Sequence, residues 1–254
     1  MRVWDGVSGA RITFDWDMAE RRTIANMIEN NNLTAGLAAR ARELGGMALL
    51  DNARVRDVTL GEDGPEADMS SWPLVTLADG KTMAARLLVG ADGPNSLVRT
   101  FAGIPSRGWD YDRHGVVATV RLERHDELFK HEPIAYQRFL PSGPVAMLPL
   151  PNGFASIVWS TLPARAGRLK SLAAEDITSM INAAFRLSPV DLEYLHNTPS
   201  GQADEIAWRE QHTATDLSVT PPRIVDVLPG SVASFPLRMR HVDTYIGERV
   251  ALVG

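Results

Sequence analysis

The sequence predicts a mixed α/β (α+β) fold in which a separate antiparallel sheet accompanies partly parallel strands. Residues 87–90 and 250–253 are continuous apolar runs, which are typical of parallel strands covered on both faces. Residues 116–161 instead contain four short strand-like runs with turn residues between them, which indicates an antiparallel meander. Residues 24–43 carry apolar side chains at helical spacing. The combination of these three patterns favours this fold class.

The first part of the chain is predicted to form two strands and a helix. Residues 2–5 and 10–14 have the composition of strands. In the helix predicted over residues 24–43, Asn30 lies near the start, where a short polar side chain can cap free amides. Gly45 follows the last apolar position and is predicted to end this helix.

A strand is predicted over residues 54–60, and Asp79-Gly80 is a typical turn of the hairpin that follows. The four strands of the predicted meander cover residues 116–122, 134–140, 145–150 and 154–161. A helix is predicted over residues 172–187, and Ser188 is placed to cap the next one, because a proline follows it. Residues 221–236 are rich in proline and connect back to the final strand.

Composition excludes several classes of protein. The 254 residues carry a net charge of −5, so no basic footprint indicates a nucleic-acid partner. The absence of cysteine excludes a disulfide scaffold, a thiolate zinc site and a cysteine nucleophile. The six histidines lack metal-ligand spacing, so no metal site is predicted, and most are expected at the surface. No run approaches the roughly 18 apolar residues of a membrane span, and the first residues lack the features of a signal or transit peptide.

One string carries most of the chemical information: the apolar run 87–90 is followed by Asp92-Gly93, and then by Ser96 and Arg99. A carboxylate at the carboxyl end of a parallel strand is placed to accept hydrogen bonds from a ribose or to meet a cofactor. Glycine allows close approach of a ligand to the backbone, and the amides after Ser96 are candidate donors to an anion. A helix-capping aspartate is the structural alternative for this residue.

This string resembles the Asp-Gly motif of the flavoprotein aromatic hydroxylases, which have a glutathione-reductase-like FAD-binding fold. Residues 137–150, Gln-Arg-Phe-Leu-Pro-Ser-Gly-Pro-Val-Ala-Met-Leu-Pro-Leu, carry the most specific part of the resemblance. Residues 1–5, 28–30, 116–119, 158–161, 231–233 and 235–237 add to it. Together they are most similar to the ubiquinone-biosynthesis flavin monooxygenases, above all their mitochondrial members. The resemblance covers nearly the whole chain.

The resemblance implies FAD as the cofactor and a polyprenylated hydroxybenzoate as the substrate, whose aromatic ring is hydroxylated. The implied cofactor-binding residues are Gly90, Asp92, Gly93, Arg99, Gly254 and Asn30, the last of which could equally be a helix cap. The antiparallel sheet is expected to form a substrate wall, with Gln137, Phe139, Leu148, Trp159 and Phe235 as candidates. Plain core packing remains the alternative for each apolar member. No catalytic side chain is expected, because a flavin carries the oxygen chemistry.

The resemblance also implies partners and a location. These are a ferredoxin with its reductase as electron donor, the ubiquinone-biosynthesis complex, and peripheral contact with the matrix side of the mitochondrial inner membrane. An acidic ferredoxin requires a basic patch, for which two clusters are candidates: Arg165, Arg168 and Lys170, and Arg238, Arg240 and Arg249. Either cluster could instead be an ordinary solvated face.

Two family motifs are missing from the 254 residues. No Gly-x-Gly-x-x-Gly string occurs, and residues 249–254 resemble only the strand that leads into the family's Gly-Asp-Ala-Ala-His motif. We therefore expect a chain truncated at both ends that retains little flavin and is inactive by itself. The predicted parts are residues 1–105 from the FAD-binding domain, 106–240 as the substrate domain, and 241–254 as a return strand. An NADPH-dependent flavin hydroxylase of another pathway, or a non-catalytic interaction module, are the alternative functions.

Overall fold

The computed structural model describes residues 1–15, 24–65, 67–123, 133–213 and 220–254. These residues divide into two compact units. The first unit comprises residues 1–36 and 110–237, and the second comprises residues 37–109 and 238–254. The break near residue 109 lies close to the predicted boundary, whereas residues 1–36 group with the predicted substrate domain instead of the predicted FAD-binding part.

The described residues form fourteen strands and six α-helices. The strands are β1 (Arg2–Asp5), β2 (Arg11–Thr13), β3 (Val55–Leu60), β4 (Pro73–Leu77), β5 (Thr82–Ala84), β6 (Leu88–Gly90), β7 (Ser106–Leu122), β8 (Tyr136–Phe139), β9 (Val145–Leu150), β10 (Phe154–Thr161), β11 (Ile224–Val227), β12 (Ala233–Val242), β13 (Ile246–Gly247) and β14 (Val250–Leu252). The helices are α1 (Asn30–Leu44), α2 (Leu97–Phe101), α3 (Pro163–Ser171), α4 (Ala174–Arg186), α5 (Pro189–Asn197) and α6 (Gln202–His212).

The first unit is built on a mainly antiparallel sheet with the strand order β11–β7–β10–β9–β8–β1–β2, and β12 also pairs with β7. Strands β8, β9 and β10 form the predicted meander, but β7 pairs with β10 instead of β8. Strand β1 joins β8 in parallel, with Val3 opposite Gln137. This long-range pairing explains why the start of the chain belongs to this unit.

One face of this sheet is buried under helices. The largest fully buried side chains on the strand side include Met147, Ile157 and Trp159. Helix α4 packs against α6 and β11, and it buries Ile177, Met180, Ile181 and Ala184, which recur at helical spacing on one side. Burial of each large apolar side chain contributes roughly 1.5–3 kcal/mol. This layer is therefore the main hydrophobic core of the described residues.

A buried arginine ties the sheet to this helical layer. Arg138 on β8 is 6% exposed, and its Nη1 donates to the carbonyl oxygens of Ala184 and Leu187 at 2.9 and 2.8 Å. These carbonyls belong to the end of α4, where the helix dipole favours a cation. Burial lowers the pKa of Arg138, and the nearby Asp5 carboxylate opposes that shift. A Cβ at Gly6 would lie 2.9 Å from Arg138 Nε, so glycine is needed here.

The second unit contains two three-stranded sheets. Strands β3, β4 and β5 form an antiparallel sheet, and the predicted Asp79-Gly80 turn joins β4 to β5. The other sheet has the order β13–β14–β6, in which β14 and β6 are parallel, with Leu252 opposite Gly90. Helix α2 packs on β6 and β14. The prediction that the apolar runs 87–90 and 250–253 form parallel strands is therefore confirmed.

The expectation that these parallel strands are covered on both faces is wrong. Val89 is 50% exposed and Val253 is 57% exposed, whereas Val250 is buried. Within the described part of the chain, α2 is the helix that packs on β6 and β14. The apolar runs therefore predicted the strands correctly but overestimated the burial of their two faces.

Several helix predictions also need correction. Helix α1 begins at Asn30 instead of residue 24, and none of its residues is buried. The helix predicted over 172–187 begins at Ala174, and the predicted Ser188 cap is confirmed by its hydrogen bond from the Asp191 amide at 3.2 Å. Helices α3 and α6 were not predicted. Their sequences are polar and each buries only two residues, so the apolar periodicity that indicates a helix is weak.

Histidine placement matches the prediction only in part. His212 and His241 are exposed, but His196 on α5 is 5% exposed, which contradicts a surface position. His125 and His131 lie outside the described residues. Among the described residues, no cluster of three candidate ligands could hold a metal ion. In the same part of the chain, no helix combines the length and apolarity needed to cross a bilayer.

Candidate functional site

A pocket lies where the parallel strands of the second unit end. Leu252 pairs with Gly90, and the Val253 amide donates to the Gly90 carbonyl at 2.9 Å, so the segments after β6 and β14 emerge side by side. The cavity has a volume of about 300 Å³. Its lining comprises Gly90, Asp92, Gly93, Pro94, Ser96, Arg99, Ser106, Arg240, His241, Val242, Tyr245, Leu252, Val253 and Gly254, all within the second unit. Five of the six predicted cofactor-binding residues are therefore brought together.

Asp92 is held by hydrogen bonds within its own turn. Its Oδ1 accepts from Ser96 Oγ at 2.5 Å, and its Oδ2 accepts from the Leu97 amide at 2.8 Å and from the Val98 amide at 3.4 Å. Partial burial raises the pKa of Asp92, but the hydrogen bonds from Ser96 and from backbone amides outweigh it, so the pKa is lowered. The carboxylate is therefore charged at neutral pH and fixed in orientation.

The sequence had suggested that the first amides of α2 could donate to an external anion. In the structure they already donate to side chains of the chain itself. Ser96 Oγ accepts from the Arg99 amide at 2.9 Å, while Asp92 accepts from the two amides before it. These residues cap the helix in the way that polar side chains usually do. The sequence left two alternative roles for Asp92, helix capping and cofactor binding. The structure shows that Asp92 caps α2, and this role is compatible with cofactor binding.

The two glycines of the motif have different roles. A Cβ at Gly90 would lie 2.8 Å from Val98 Cβ and 2.9 Å from Leu252 Cδ2, so this glycine makes room for the packing of α2 and not for a ligand. Gly93 has φ +83°, which only glycine adopts readily, and no atom lies within 4 Å of its missing side chain. Close approach to the backbone is thus possible at Gly93.

Cationic side chains line the same pocket. Arg99 Nη1 donates to the Pro94 carbonyl at 2.6 Å and braces the turn that carries Asp92. Arg240 Nη1 donates to the Met239 and Trp109 carbonyls at 2.8 and 3.1 Å. Sequence reasoning placed Arg240 in a surface cluster and missed its place in the pocket, because the pairing of β12 with β7 brings it there. His241 and Tyr245, whose rings lie 6.3 Å apart, were missed for the same reason.

Asn30, the sixth predicted cofactor residue, belongs to the first unit. It is exposed and is the first residue of α1. Its position at the helix start is as predicted. A role toward a cofactor stays a prediction.

Four of the five predicted substrate-wall residues lie on the sheet face opposite the helices, which we call the open face. Cross-strand register pairs Gln137 with Ala146 and Leu148 with Ser156, and these residues alternate with buried ones along their strands. Phe139 follows on the same side and is 47% exposed. Phe235 packs over Gly115, whose Cβ would lie 3.2 Å from its ring.

Trp159 does not belong to this face. It is 1% exposed, pairs with Val145, and stacks against His196 with ring centroids 5.6 Å apart. Because side chains alternate along β10, Trp159 points into the helical layer while Val158 and Ser160 occupy the open face. Core packing, the alternative considered for Trp159, is therefore the correct interpretation.

Much of the predicted basic patch is bound by the chain itself. Arg165 Nη2 donates to Glu193 Oε2 at 2.5 Å, and Arg168 donates to the Thr198 carbonyl oxygen. The Arg249 guanidinium lies 5.0 Å from the centre of the Trp72 ring, and its Nε donates to Ser71 Oγ at 3.1 Å. Glu193 offsets the charge of Arg165, whereas the other contacts hold Arg168 and Arg249 in position without neutralising them.

Comparison with known proteins identifies the family. A family model described as FAD binding domain matches residues 7–254. The chain belongs to this FAD-binding family. The predicted resemblance to flavoprotein hydroxylases and the prediction of FAD as cofactor are thereby confirmed.

Several curated relatives of this FAD-binding chain share one name. The mitochondrial ubiquinone biosynthesis monooxygenase of Saccharomyces cerevisiae is 40% identical over 99% of this chain and 54% of its own length. The proteins of the same name from Danio rerio and Homo sapiens are 37% and 35% identical over 100% of this chain and 51% and 53% of theirs. The chain thus spans about half the length of the curated relatives it matches.

Solved structures support the fold of the FAD-binding chain. The p-nitrophenol 4-monooxygenase of Pseudomonas putida matches all of this chain and 54% of its own, at 15% identity with a TM-score of 0.61. The flavin-dependent halogenase CmlS matches all of this chain and 40% of its own, at 14% identity with a TM-score of 0.62. At these identities the similarity establishes the fold alone, and the predicted fold class is confirmed.

The pocket fits one part of FAD. Asp92 already accepts three hydrogen bonds, which leaves about one lone-pair site of its carboxylate for a sugar or ribityl hydroxyl. Arg99 and Arg240 supply positive charge for a diphosphate, and Gly93 leaves space beside the backbone. A volume of about 300 Å³ accommodates only part of a dinucleotide. The residues present therefore fit the polar middle of this cofactor.

Proposed function

We propose that this chain serves in an FAD-dependent monooxygenase that hydroxylates the aromatic ring of a polyprenyl-hydroxybenzoate intermediate in ubiquinone biosynthesis. The observation that carries the proposal is the 40% identity to the yeast ubiquinone biosynthesis monooxygenase over 99% of this chain. The reaction places one oxygen atom of O2 on a ring carbon as a hydroxyl group. The second oxygen is reduced to water by two electrons from a reduced donor and two protons from solvent.

The second unit holds the cofactor in this proposal. When bound, FAD supplies the activation of O2 that no side chain can perform. Asp92 accepts a hydrogen bond from a hydroxyl group of the sugar or ribityl part, and its fixed charge orients that group. Arg99 and Arg240 bind the diphosphate through their charge, while Gly93 allows its approach. These residues bind and orient, and they move no proton.

The first unit supplies the substrate face. Phe139, Leu148 and Phe235 present apolar surface that can cover an aromatic ring and exclude water from it. Gln137 offers an amide donor and acceptor on the same face, which can orient a ring hydroxyl or carboxylate. Arg138 beneath this face fixes the strand that carries Gln137 and Phe139.

We also propose a location and partners. The relatives' names support a mitochondrial protein, and a polyprenyl tail requires work at a membrane surface, which we place peripherally on the matrix side of the inner membrane. A ferredoxin with its reductase supplies the electrons, and the protein acts within the ubiquinone-biosynthesis complex. Exposed Lys170 on α3 is the candidate that we retain for docking of an acidic ferredoxin.

The function is tested with the protein expressed from its complete reading frame. It is incubated with FAD, O2, a polyprenyl-hydroxybenzoate and either reduced ferredoxin or NADPH alone, and the product is identified by mass spectrometry. We expect a ring-hydroxylated product with ferredoxin only. Product with NADPH alone would overturn the proposed donor, and a flavin-loaded protein that forms no product with either donor would overturn the proposed substrate.

Flavin binding is expected to depend on Asp92. In the same protein, Asp92→Asn keeps a capping side chain but loses a charge-assisted hydrogen bond to a sugar or ribityl hydroxyl. We expect the Kd for FAD, measured by fluorescence titration, to rise about tenfold, or about 1.4 kcal/mol. Asp68→Asn is the matched control. Asp68 also lies in the second unit, and its carboxylate accepts hydrogen bonds from the hydroxyl and the backbone amide of Ser70. Equal affinity of both variants for FAD would refute the role of Asp92.

The 254-residue chain alone is expected to retain little flavin. It contains no Gly-x-Gly-x-x-Gly string, which in this fold binds the ADP part of FAD. The visible spectrum of the purified chain measures this directly. A stoichiometric yellow protein would show that the residues present suffice for binding.

A further inference from the structure

The layer behind β10 contains buried polar atoms that bond to no other protein group. They are Trp159 Nε1, Thr161 Oγ1, Gln202 Oε1 and both ring nitrogens of His196. Each of these four residues is at most 5% exposed. Buried polar atoms are almost always hydrogen-bonded to protein or to ordered water, and leaving one unpaired costs about 1–3 kcal/mol. Such a concentration therefore requires a physical reason.

The four residues belong to elements that pack against one another in the helical layer. The rings of Trp159 and His196 lie 5.6 Å apart, and Thr161 points to the same side of β10 two residues later. Gln202 Nε2 donates to the Thr198 carbonyl at 2.7 Å, and Thr198 follows α5 only two residues after His196. Thus β10, the end of α5 and the start of α6 each contribute polar atoms to this region.

The chemistry of these atoms is balanced between donors and acceptors. Trp159 supplies an N–H, neutral His196 supplies one N–H and one acceptor nitrogen, Thr161 can do both, and Gln202 supplies an oxygen. A ligand that satisfies all of them must both donate and accept. Water does so, whereas a halide accepts only and a metal ion binds only to acceptors.

The surrounding charges argue against a cation. Arg165 and Arg168 on α3 lie close enough to influence His196, and Glu193 on α5 offsets them only in part. Burial is the largest cause that lowers the pKa of His196, to about 4, and both arginines add to it. The imidazole is therefore neutral near pH 7, and the site carries no charge of its own.

We propose that Trp159, Thr161, His196 and Gln202 form an internal polar site that binds ordered water. A bound water needs two to four polar partners, so these atoms suffice for about one or two molecules. Because Trp159 and Thr161 alternate with Val158 and Ser160, the water links the back of the strand that carries the open face to α5 and α6. This site is separate from the cofactor pocket and does not rest on the proposed function.

A crystal structure of the protein, grown with bromide in place of chloride, tests the proposal. We expect discrete density within about 2.7–3.2 Å of Trp159 Nε1 and of a His196 nitrogen, without anomalous signal at the bromine edge. An anomalous peak there would make it an anion site and overturn the proposal. Side chains that pair directly with each other, with no density between them, would overturn it as well.

An NMR measurement in solution gives an independent answer. In protein labelled with ¹⁵N-tryptophan, we expect the Trp159 indole proton to show a nuclear Overhauser effect to a long-lived water. Trp159→Phe assigns the signal, and exposed Trp208 is the control, since it contacts only rapidly exchanging solvent. Thr161→Val, which removes one partner at nearly constant volume, is expected to weaken the effect. An indole signal that behaves like that of Trp208 would refute the site.

Discussion

Replacing Gly143 by alanine is expected to destabilise the first unit by about 3 kcal/mol or more, because two costs coincide. Gly143 lies in the turn between β8 and β9 with φ +126°, a conformation that side-chain-bearing residues rarely adopt. A Cβ there would overlap the Ser160 carbonyl oxygen and lie 2.9 Å from its carbon. The Ser160 amide donates to the Pro144 carbonyl at 2.9 Å, so the strand cannot retreat without losing that bond.

Urea denaturation followed by circular dichroism measures the effect, and Gly167→Ala is the matched control. Gly167 lies inside α3, with no atom within 4 Å of its missing side chain. Alanine is favoured over glycine in a helix by roughly 0.5–1 kcal/mol, so this variant is expected to gain stability. If Gly143→Ala unfolds at the same urea concentration as the parent protein, the turn does not have the conformation described.

Local patterns in the sequence predicted the elements that depend on local chemistry. Strands β9 and β10 have the predicted bounds, because turn residues flank these short runs rich in apolar residues. Ser188 and Pro189 defined the start of α5 in the same way. Residues 87–90 and 250–253 were also predicted as parallel strands, since unbroken apolar runs are typical of such strands. That the two strands pair with each other is a finding of the structure.

These local patterns did not predict which strands pair over long distances in the sequence. Nothing in residues 2–5 indicates that they pair with β8, so the start of the chain was assigned to the other part of the protein. Alternation along β10 predicts two faces but does not tell which one the helices cover. Trp159 was therefore assigned to the substrate wall and is found behind it. Most histidines were expected at the surface, and no pattern in the sequence distinguished buried His196 from the others.

The candidate site shows the same division. The resemblance implied a cofactor role for residues that follow β6 and β14, and the pairing of these two strands brings them together. Arg240, His241 and Tyr245 join them through the pairing of β12, which no local signal indicated. The capping of α2 by Asp92 was predictable as an alternative, since aspartate before a helix is a common cap.

Acid is expected to destabilise the protein through His196, well before its own folded-state pKa is reached. The ordinary pKa of histidine, 6.5, applies to the unfolded chain, whereas burial, with Arg165 and Arg168 close by, lowers the folded-state pKa of His196 to about 4. Above about pH 6.5 the imidazole is neutral in both states, so its environment costs no stability. As the pH falls from 6.5 towards 4, the unfolded chain gains a proton that the folded protein does not take up. The free energy of unfolding then falls by up to about 3 kcal/mol.

Urea denaturation at a series of pH values from 7 to 4 measures this loss, and His196→Phe separates it from the titration of carboxylates. The phenyl ring keeps a similar volume beside Trp159 but cannot be protonated, so the variant is expected to lose less stability than the parent over this range. His212→Gln is the control, because His212 is exposed and its removal leaves the buried imidazole in place. Its pH dependence is expected to match that of the parent protein. Parallel curves for the parent and His196→Phe would mean that His196 is protonated as readily in the folded protein as in the unfolded chain. That result would contradict the lowered pKa expected from its burial against Trp159 and from the two nearby guanidinium groups.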